Sequence, residues 1–284
     1  MSNSKINKFS FMGVVNATPD SFSDGGELLN SADLKLRLSQ WQSAKAQWLD
    51  LGGESTAPFN KPVGHTEEWQ RVSKALESFS SDIKVSIDSF RKETILKAIQ
   101  LDHVRLWNDV SGQLDQDLLD VLKSHPKLQS VYCHNLAPSR DKCHEHMNFL
   151  IDSRDILFQL EEYFATGLKW FEKNKLHKPM LDICFGFSKS FEQNWFILKN
   201  LPLFLNEFEN KYGAQQWLLG ISRKSFFKKL SSEKVDQDIR KQTEYMQASY
   251  LTWFAQQCQI EGEVIVRLHD PAMAYALDTL GAQL

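Results

Sequence analysis

Cysteine is scarce in this chain: Cys133, Cys143, Cys184 and Cys258 are the only four among 284 residues. So few thiols argue against a disulfide framework and point to reduced side chains. A basic surplus is also missing. The 33 lysines and arginines are outnumbered by 36 acidic residues, for a net charge of −3, which argues against nucleic acid as a partner. No block of like charge suggests a tail. No apolar run approaches the roughly 20 residues needed to cross a bilayer. The polar first ten residues lead into an apolar run too short for a secretory signal. A cytoplasmic protein without a membrane partner is therefore expected. Low-complexity linkers are absent as well, so residues 1–284 read as one domain. Apolar material, by contrast, is ample: 42 % of the residues, enough for a sizeable core.

Short β-like runs alternate with helical stretches. Eight strands are expected at Phe11–Val15, Trp48–Leu51, Lys84–Ile87, Val104–Trp107, Gln129–Cys133, Met180–Ile183, Trp217–Gly220 and Val264–Arg267. In Asp33–Leu49, residues Leu34, Leu38, Trp41, Ala44 and Trp48 recur at helical spacing, and the end of that pattern overlaps the second strand. Further helices are expected at Thr66–Phe79, Asp152–Phe171, Asp238–Cys258 and Pro271–Leu280. Eight strand–helix repeats imply an α/β chain folded as a (β/α)8 TIM barrel.

In such a barrel the functional groups follow the strands, at their C-terminal ends. In chain order those positions carry Asn16, Glu54-Ser55-Thr56, Asp88, Asn108-Asp109, His134-Asn135, Asp182, Ser222-Arg223-Lys224, Arg267 and His269. Asp88, Asn108, Asp182 and Lys224 come from four strands and suit a flat heterocycle rich in N–H donors. A guanidine-like ring edge, such as a pterin has, pairs with a carboxylate through two hydrogen bonds. One such Asp would more simply be a helix cap, as Asp88 before Ser89; four at equivalent positions favour a site. Asn135 joins the expected substrate-binding set. Arg267 and His269 alternate, so they point the same way and can hold an anion, with Asn16 as a ligand for a hard cation such as Mg²⁺. The plainer alternative pairs Arg267 with Asp270. Ser222-Arg223-Lys224-Ser225 is expected to open a helix that attracts an anion.

The most informative stretch is Met12-Gly-Val-Val-Asn-Ala-Thr-Pro-Asp-Ser-Phe-Ser-Asp-Gly-Gly26. With it come Asp50-Leu-Gly-Gly-Glu-Ser-Thr56, Val85-Ser-Ile-Asp-Ser89, Trp107-Asn-Asp-Val-Ser-Gly112, Leu181-Asp-Ile-Cys-Phe-Gly-Phe-Ser-Lys189, Gly220-Ile-Ser-Arg-Lys-Ser225 and Arg267-Leu-His-Asp270. In this order, over nearly the whole chain, the segments resemble the dihydropteroate synthase family. The resemblance implies a TIM barrel, commonly dimeric. It implies a transferase that joins 6-hydroxymethyl-7,8-dihydropterin diphosphate to p-aminobenzoate, with Mg²⁺, in folate biosynthesis. Asp88, Asn108, Asp182 and Lys224 would then bind the pterin, and Asn16, Arg267 and His269 the diphosphate and Mg²⁺. Thr56, Pro58, Phe187 and Ser225 would frame p-aminobenzoate, with Phe22 closing over it. Catalysis is expected to rest on Asp88, Asp182, Lys224 and Arg267.

The chain departs from the family's pattern at four places. Ala57 stands where the family usually has Arg, and the loop Pro58–His65 is unusual, with Lys61 and His65 as the candidate replacement cations. Asp182-Ile-Cys replaces Asp-Pro-Gly, and Ser188 replaces a later glycine. His134-Asn-Leu-Ala137 replaces His-Met-Gln-Gly. Three outcomes are consistent with this pattern: a divergent synthase, a pterin-binding paralogue without synthase activity, and a pterin-dependent methyltransferase domain. The intact Thr-Pro-Asp-Ser-Phe-Ser-Asp loop argues against the last. Cys133, His134, Cys143, His144 and His146 crowd one region but match no zinc spacing. The expectation there is a buried Cys133 and a solvated loop for the rest. The eight Trp are expected in the barrel-to-helix core and in dimer contacts, not as a binding stripe.

Overall fold

In the computed structural model of the chain, residues 9–17, 31–54, 63–79, 82–236 and 238–283 are described. The strands are β1 (Ser10–Asn16), β2 (Trp48–Gly52), β3 (Lys84–Asp88), β4 (Val104–Asp109), β5 (Gln129–Cys133), β6 (Met180–Asp182), β7 (Gln216–Leu219) and β8 (Glu263–Leu268). All pair in parallel, each with its chain neighbour, and β8 closes on β1. The helices are α1 (Ser31–Ser43), α2 (His65–Leu76), α3 (Lys92–Ala98), α4 (Gln116–Ser124), α5 (Ile156–Lys173), α6 (Phe191–Tyr212), α7 (Ser225–Lys228), α8 (Ile239–Gln257) and α9 (Pro271–Gln283). A three-ten segment, Arg140–Asn148, precedes α5. The expected (β/α)8 barrel is the observed one. Among the described residues no helix is long and apolar enough to cross a membrane.

Period two explains where the site sits. One phase of the strands turns toward the helices, as Trp107, Leu181 and Trp217 do; the other turns inward. Met12, Trp48, Leu106, Val131, Met180, Leu218 and Ile265 form a separate apolar cluster, the filled interior of the barrel. Two residues further along the same inward phase stand Asp50, Asn108, Cys133, Asp182 and Arg267, and Asp88 follows Ser86 in the same way. The polar layer is the next storey of the barrel, held by the ladder beneath it.

Helix packing rests on two glycines. A Cβ on Gly13 would lie 2.4 Å from Cδ2 of Trp41, so only glycine lets α1 lie that close to β1. A Cβ on Gly167 of α5 would lie 2.2 Å from Cε1 of Tyr132. Tyr132 is buried and stacked on Tyr163 at 4.8 Å, so it has no room to yield. Gly167→Ala should therefore cost about 1–3 kcal/mol by overpacking, against the ~1 kcal/mol that alanine gains as a helix former. Denaturant unfolding measures the balance; an unchanged midpoint would show that Tyr132 moves aside.

Several boundaries differ from expectation. The helical pattern expected to reach Leu49 ends at Ser43, because Lys45 turns left-handed (φ 56°) and Trp48 enters β2. The 22-residue α6 was not expected. Pro202 lies inside it, yet Ser190 and Gln193 form a capping box that starts it. The segment expected to be a solvated loop is the three-ten segment, with Cys143 and His146 fully buried. Three Trp side chains, Trp41, Trp107 and Trp217, fill the barrel-to-helix layer as expected, whereas Trp48 lies inside the barrel.

Candidate active site

Arg267 of β8 organises the mouth. Its Nε donates to Asp50 Oδ2 at 2.6 Å and its Nη2 to Asp88 Oδ2 at 2.7 Å. Asn108 Nδ2 donates to the same Asp50 oxygen at 3.0 Å. Four strands are thus cross-linked by one charged network, and the simple pairing with Asp270 is replaced by two bridges across the barrel. Asp50, fully buried in β2, is the residue that sequence reasoning missed. Its signal was an acid in the inward phase of an otherwise apolar strand.

Two acceptors of this network have no partner. Asp50 Oδ1 and Asn108 Oδ1 are buried and unbonded among the described residues. A buried acceptor left unmade costs about 1–3 kcal/mol, so the arrangement calls for a ligand that brings donors. Burial pushes the Asp88 carboxyl up to about 7, with Arg267 opposing and Asp50 adding to the rise. Burial also raises Asp182, opposed by the Cys184 N–H and by Lys224, Arg267 and Lys189. His269 is held well below its ordinary value, first by burial and then by Arg267, Arg223, Lys224 and Arg37. It is a neutral imidazole in a cationic corner. Arg37 of α1 donates to its carbonyl, a contact that the sequence did not suggest.

The loop after β6, where the chain departs from the family's pattern, is held by its own hydrogen bonds. Asp182 Oδ1 accepts from Cys184 N at 2.7 Å. Cys184 and Ser188, at the places of two family glycines, both keep positive φ, 57° and 51°. Such a conformation costs a non-glycine residue roughly 1–2 kcal/mol. Ser188 offsets this with bonds of its own: its Oγ accepts from Leu136 N at 2.9 Å and donates to the His146 carbonyl at 3.3 Å. Fully buried Lys189 ties the same loop to β5, reaching His134 Nδ1 and the Phe187 carbonyl, each at 2.9 Å. Burial lowers this amine to about 8.

Other expected residues divide. Phe187 is stacked on His146 at 4.0 Å, and Lys224 Nζ lies 5.1 Å from its ring centre. Ser225 is exposed at the start of α7, whose four residues make too short a helix for the expected anion-attracting dipole. Asn16 is half-buried at the end of β1. Asn135 corrects the expectation of a substrate ligand. It is buried, its Nδ2 donates to the Val110 carbonyl, and its Oδ1 accepts from Ala137 N. Asp109 is likewise committed, paired with Arg140 at 2.8 Å. Phe22, Thr56, Pro58, Ala57 and Lys61 lie outside the described residues. The neck of the loop that holds the last four is described. Glu54 Oε1 accepts from Val63 N at 3.1 Å, and Arg91 bonds both the Glu54 carboxylate and the Val63 carbonyl. His65, the other candidate replacement cation, is exposed at the start of α2.

The chain is similar to known proteins over most of its length. The family described as "Pterin binding enzyme" matches residues 12–269. The chain is 34% identical to the dihydropteroate synthase of Clostridium beijerinckii over 218 residues, covering 75% of this chain and 74% of the relative. It is 30% identical to that of Synechocystis sp. over 224 residues, covering 77% and 73%. The crystal structure of the Xanthomonas albilineans dihydropteroate synthase with 4-aminobenzoic acid superposes with a TM-score of 0.77 at 25% identity, covering 98% of this chain and 94% of that one.

Proposed function

This chain belongs to the pterin binding enzyme family and, within it, to the dihydropteroate synthases, and from that premise we propose which of its residues bind each substrate. The reaction condenses 6-hydroxymethyl-7,8-dihydropterin diphosphate with p-aminobenzoate, giving 7,8-dihydropteroate and diphosphate in folate biosynthesis. One observation carries the pterin assignment: the inward layer holds two unmet acceptors, Asp50 Oδ1 and Asn108 Oδ1, beside the carboxylates of Asp88 and Asp182. The donor-rich edges of a pterin answer all four. Lys224 and Phe187, already in contact, form the wall on which the ring and p-aminobenzoate meet.

The diphosphate takes the cationic corner of Arg267, His269, Arg37 and Arg223. Two donors of the Arg267 fork are engaged by Asp50 and Asp88, so this arginine serves both ends of the substrate. Charge offset makes diphosphate a good leaving group as the methylene C–O bond breaks and the aniline nitrogen forms the new C–N bond. The proton lost from that nitrogen is acidic enough to pass to solvent, so no strong base is required of the chain. Positioning carries the rate.

Mg²⁺ fits the donor chemistry on one condition. Asn16 offers a single hard amide oxygen, and Mg²⁺ commonly takes few protein ligands and completes its shell with phosphate oxygens and water. Asn16 is therefore proposed as its protein ligand in the presence of diphosphate, where the cation would supply charge neutralisation. Phe22, Thr56, Pro58 and Ser225 are proposed to frame p-aminobenzoate. We read residues 1–284 as one domain, since strands from both ends of the chain close the same barrel. A homodimer is supported by exposed Phe196 and Leu203 on α6 and Tyr245 and Trp253 on α8. Free thiols at all four cysteines support a cytoplasmic location.

The purified protein should release diphosphate from the dihydropterin substrate only when p-aminobenzoate and Mg²⁺ are both present. Release indifferent to p-aminobenzoate would overturn the assignment, and tight pterin binding without release would identify a non-catalytic paralogue. Pterin affinity should also depend on pH through Asp88, pushed up to about 7. Below that pH the ligand must displace a proton from Asp88, so affinity should rise from pH 5.5 toward 8 and then level off. Asp88→Asn should remove this slope. A wild-type affinity as flat as the variant's would show that Asp88 does not titrate on binding.

A further inference from the structure

Two thiols stand beside the pterin carboxylate without a part in the reaction. Cys133 ends β5, directly opposite Asp182 in the ladder, and Cys184 follows Asp182 by two residues. Cys133 Sγ lies 4.0 Å from Asp182 Oδ2, and one donor atom from each of Cys133, Asp182 and Cys184 lies within 4.8 Å of the others. All three side chains are buried. Cys143, close to Cys133 in sequence, turns away: its Sγ meets the Val110 carbonyl and Asn135 Nδ2. The pairing of Cys133 is therefore made by the fold, with a residue 51 positions along, and not by the cysteine–histidine crowd around it.

We propose that Cys133, Cys184 and Asp182 form a binding site for a thiophilic divalent cation of the zinc class, with water as the fourth ligand. Metal–sulfur bonds of about 2.3 Å and metal–oxygen bonds of about 2.0 Å place tetrahedral ligand atoms roughly 3.5–3.8 Å apart. The observed spacing of at most 4.8 Å closes to that with side-chain shifts of about 1 Å. Binding replaces two S–H bonds by two metal–sulfur bonds and releases two protons. Two thiolates, one carboxylate and the cation sum to a single negative charge. Lys189, held by the Cys184 and Phe187 carbonyls, and Lys224 stand ready to balance it. Thiolate ligands select soft and borderline ions and reject Mg²⁺, so this site is chemically separate from the oxygen ligand at Asn16.

A consequence follows that rests on the reading of Asp182 as a pterin ligand. The same carboxylate cannot serve both, so cation and pterin exclude each other, and a thiophilic ion becomes an inhibitor competitive with the pterin substrate.

The test uses the full reduced chain, stripped of metal, titrated with Cd²⁺ alone. One equivalent should produce a thiolate-to-metal charge-transfer band and release two protons. Cys133→Ala and Cys184→Gly should each weaken binding by more than about 100-fold; Gly at 184 also suits its backbone. Cys143→Ala and Cys258→Ala should bind as wild type does. Should a variant fail to fold, X-ray absorption on the Cd²⁺-loaded wild type still decides, with two sulfur neighbours expected. A shell of oxygen and nitrogen only, or a band surviving in Cys184→Gly, would overturn the site. Excess pterin should displace the Cd²⁺. Two sulfur neighbours that pterin leaves untouched would uphold the cation site and remove Asp182 from the pterin assignment, whereas pterin binding lost in Asp182→Asn with no Cd²⁺ site does the reverse.

Discussion

Arg267→Ala should lower stability by about 3–5 kcal/mol and abolish measurable turnover. Arg267 bridges two carboxylates, one of them fully buried, with donors at 2.6 Å and 2.7 Å. Alanine leaves Asp50 and Asp88, on the neighbouring strands β2 and β3, without the guanidinium that bridges them. The deficit should depend on pH in a defined direction. Asp88, already raised by burial, loses the guanidinium that opposes the rise and climbs further. A carboxyl raised in the folded state takes up protons on folding, so stability recovers as pH falls through its folded value. Denaturant unfolding at pH 8 and pH 5.5 should show the larger deficit at pH 8. Equal deficits would mean that Arg267 acts through packing alone. In binding, both the diphosphate substrate and the bare pterin should weaken, because this one arginine orders the pterin carboxylates as well as the anion corner. Loss confined to the diphosphate form would show that Asp50 and Asp88 hold their positions without it.

The second large effect is expected at Asp182. Asp182→Asn should weaken pterin binding by about 2–5 kcal/mol with little change in folding stability. Its Oδ1 is committed to the Cys184 N–H at 2.7 Å, an acceptor role that the amide oxygen of Asn can keep. The amide nitrogen then takes the place of Oδ2 and presents a donor to a ligand donor. Calorimetry with a pterin measures the loss, and Asp88→Asn provides the parallel case. Wild-type affinity in both variants would reject the pterin site.

Ala57, where the resemblance implies one anion contact fewer, lies outside the described residues, whereas the residues flanking its segment are described. The loop from Ser55 to Pro62 starts and ends at a closed neck, Glu54 and Val63, pinned by Arg91 and supported by Glu68 at 3.0 Å from the same guanidinium. Arg37 meanwhile adds a cation near His269 that the motifs alone did not single out, beside Arg223 of the Ser222-Arg223-Lys224 segment.

Periodicity and punctuation were legible in the chain itself. Eight apolar runs separated by helical stretches specify a parallel barrel, because strands buried on both faces must be continuous in Val, Ile, Leu and aromatics. Asn16, Asp88, Asn108, Asp182 and Arg267 could be placed at the mouth from their position at strand ends, since a barrel puts all those ends on one side. Polar residues that serve the loops were not separable from these by position. Asn135 and Asp109 end strands just as Asn108 does, and only their bonds to Val110, Ala137 and Arg140 show that they build structure. Asp50 shows the opposite case: a buried charge is tolerable only with its partner, and that partner lies 217 residues away in β8. The meeting of Cys133 with Cys184 has the same origin. Local sequence determines which residues are extended, helical or turned, because those preferences act over a few residues. Which side chains touch across the barrel is decided by register and closure, and those exist only when all eight strands have paired.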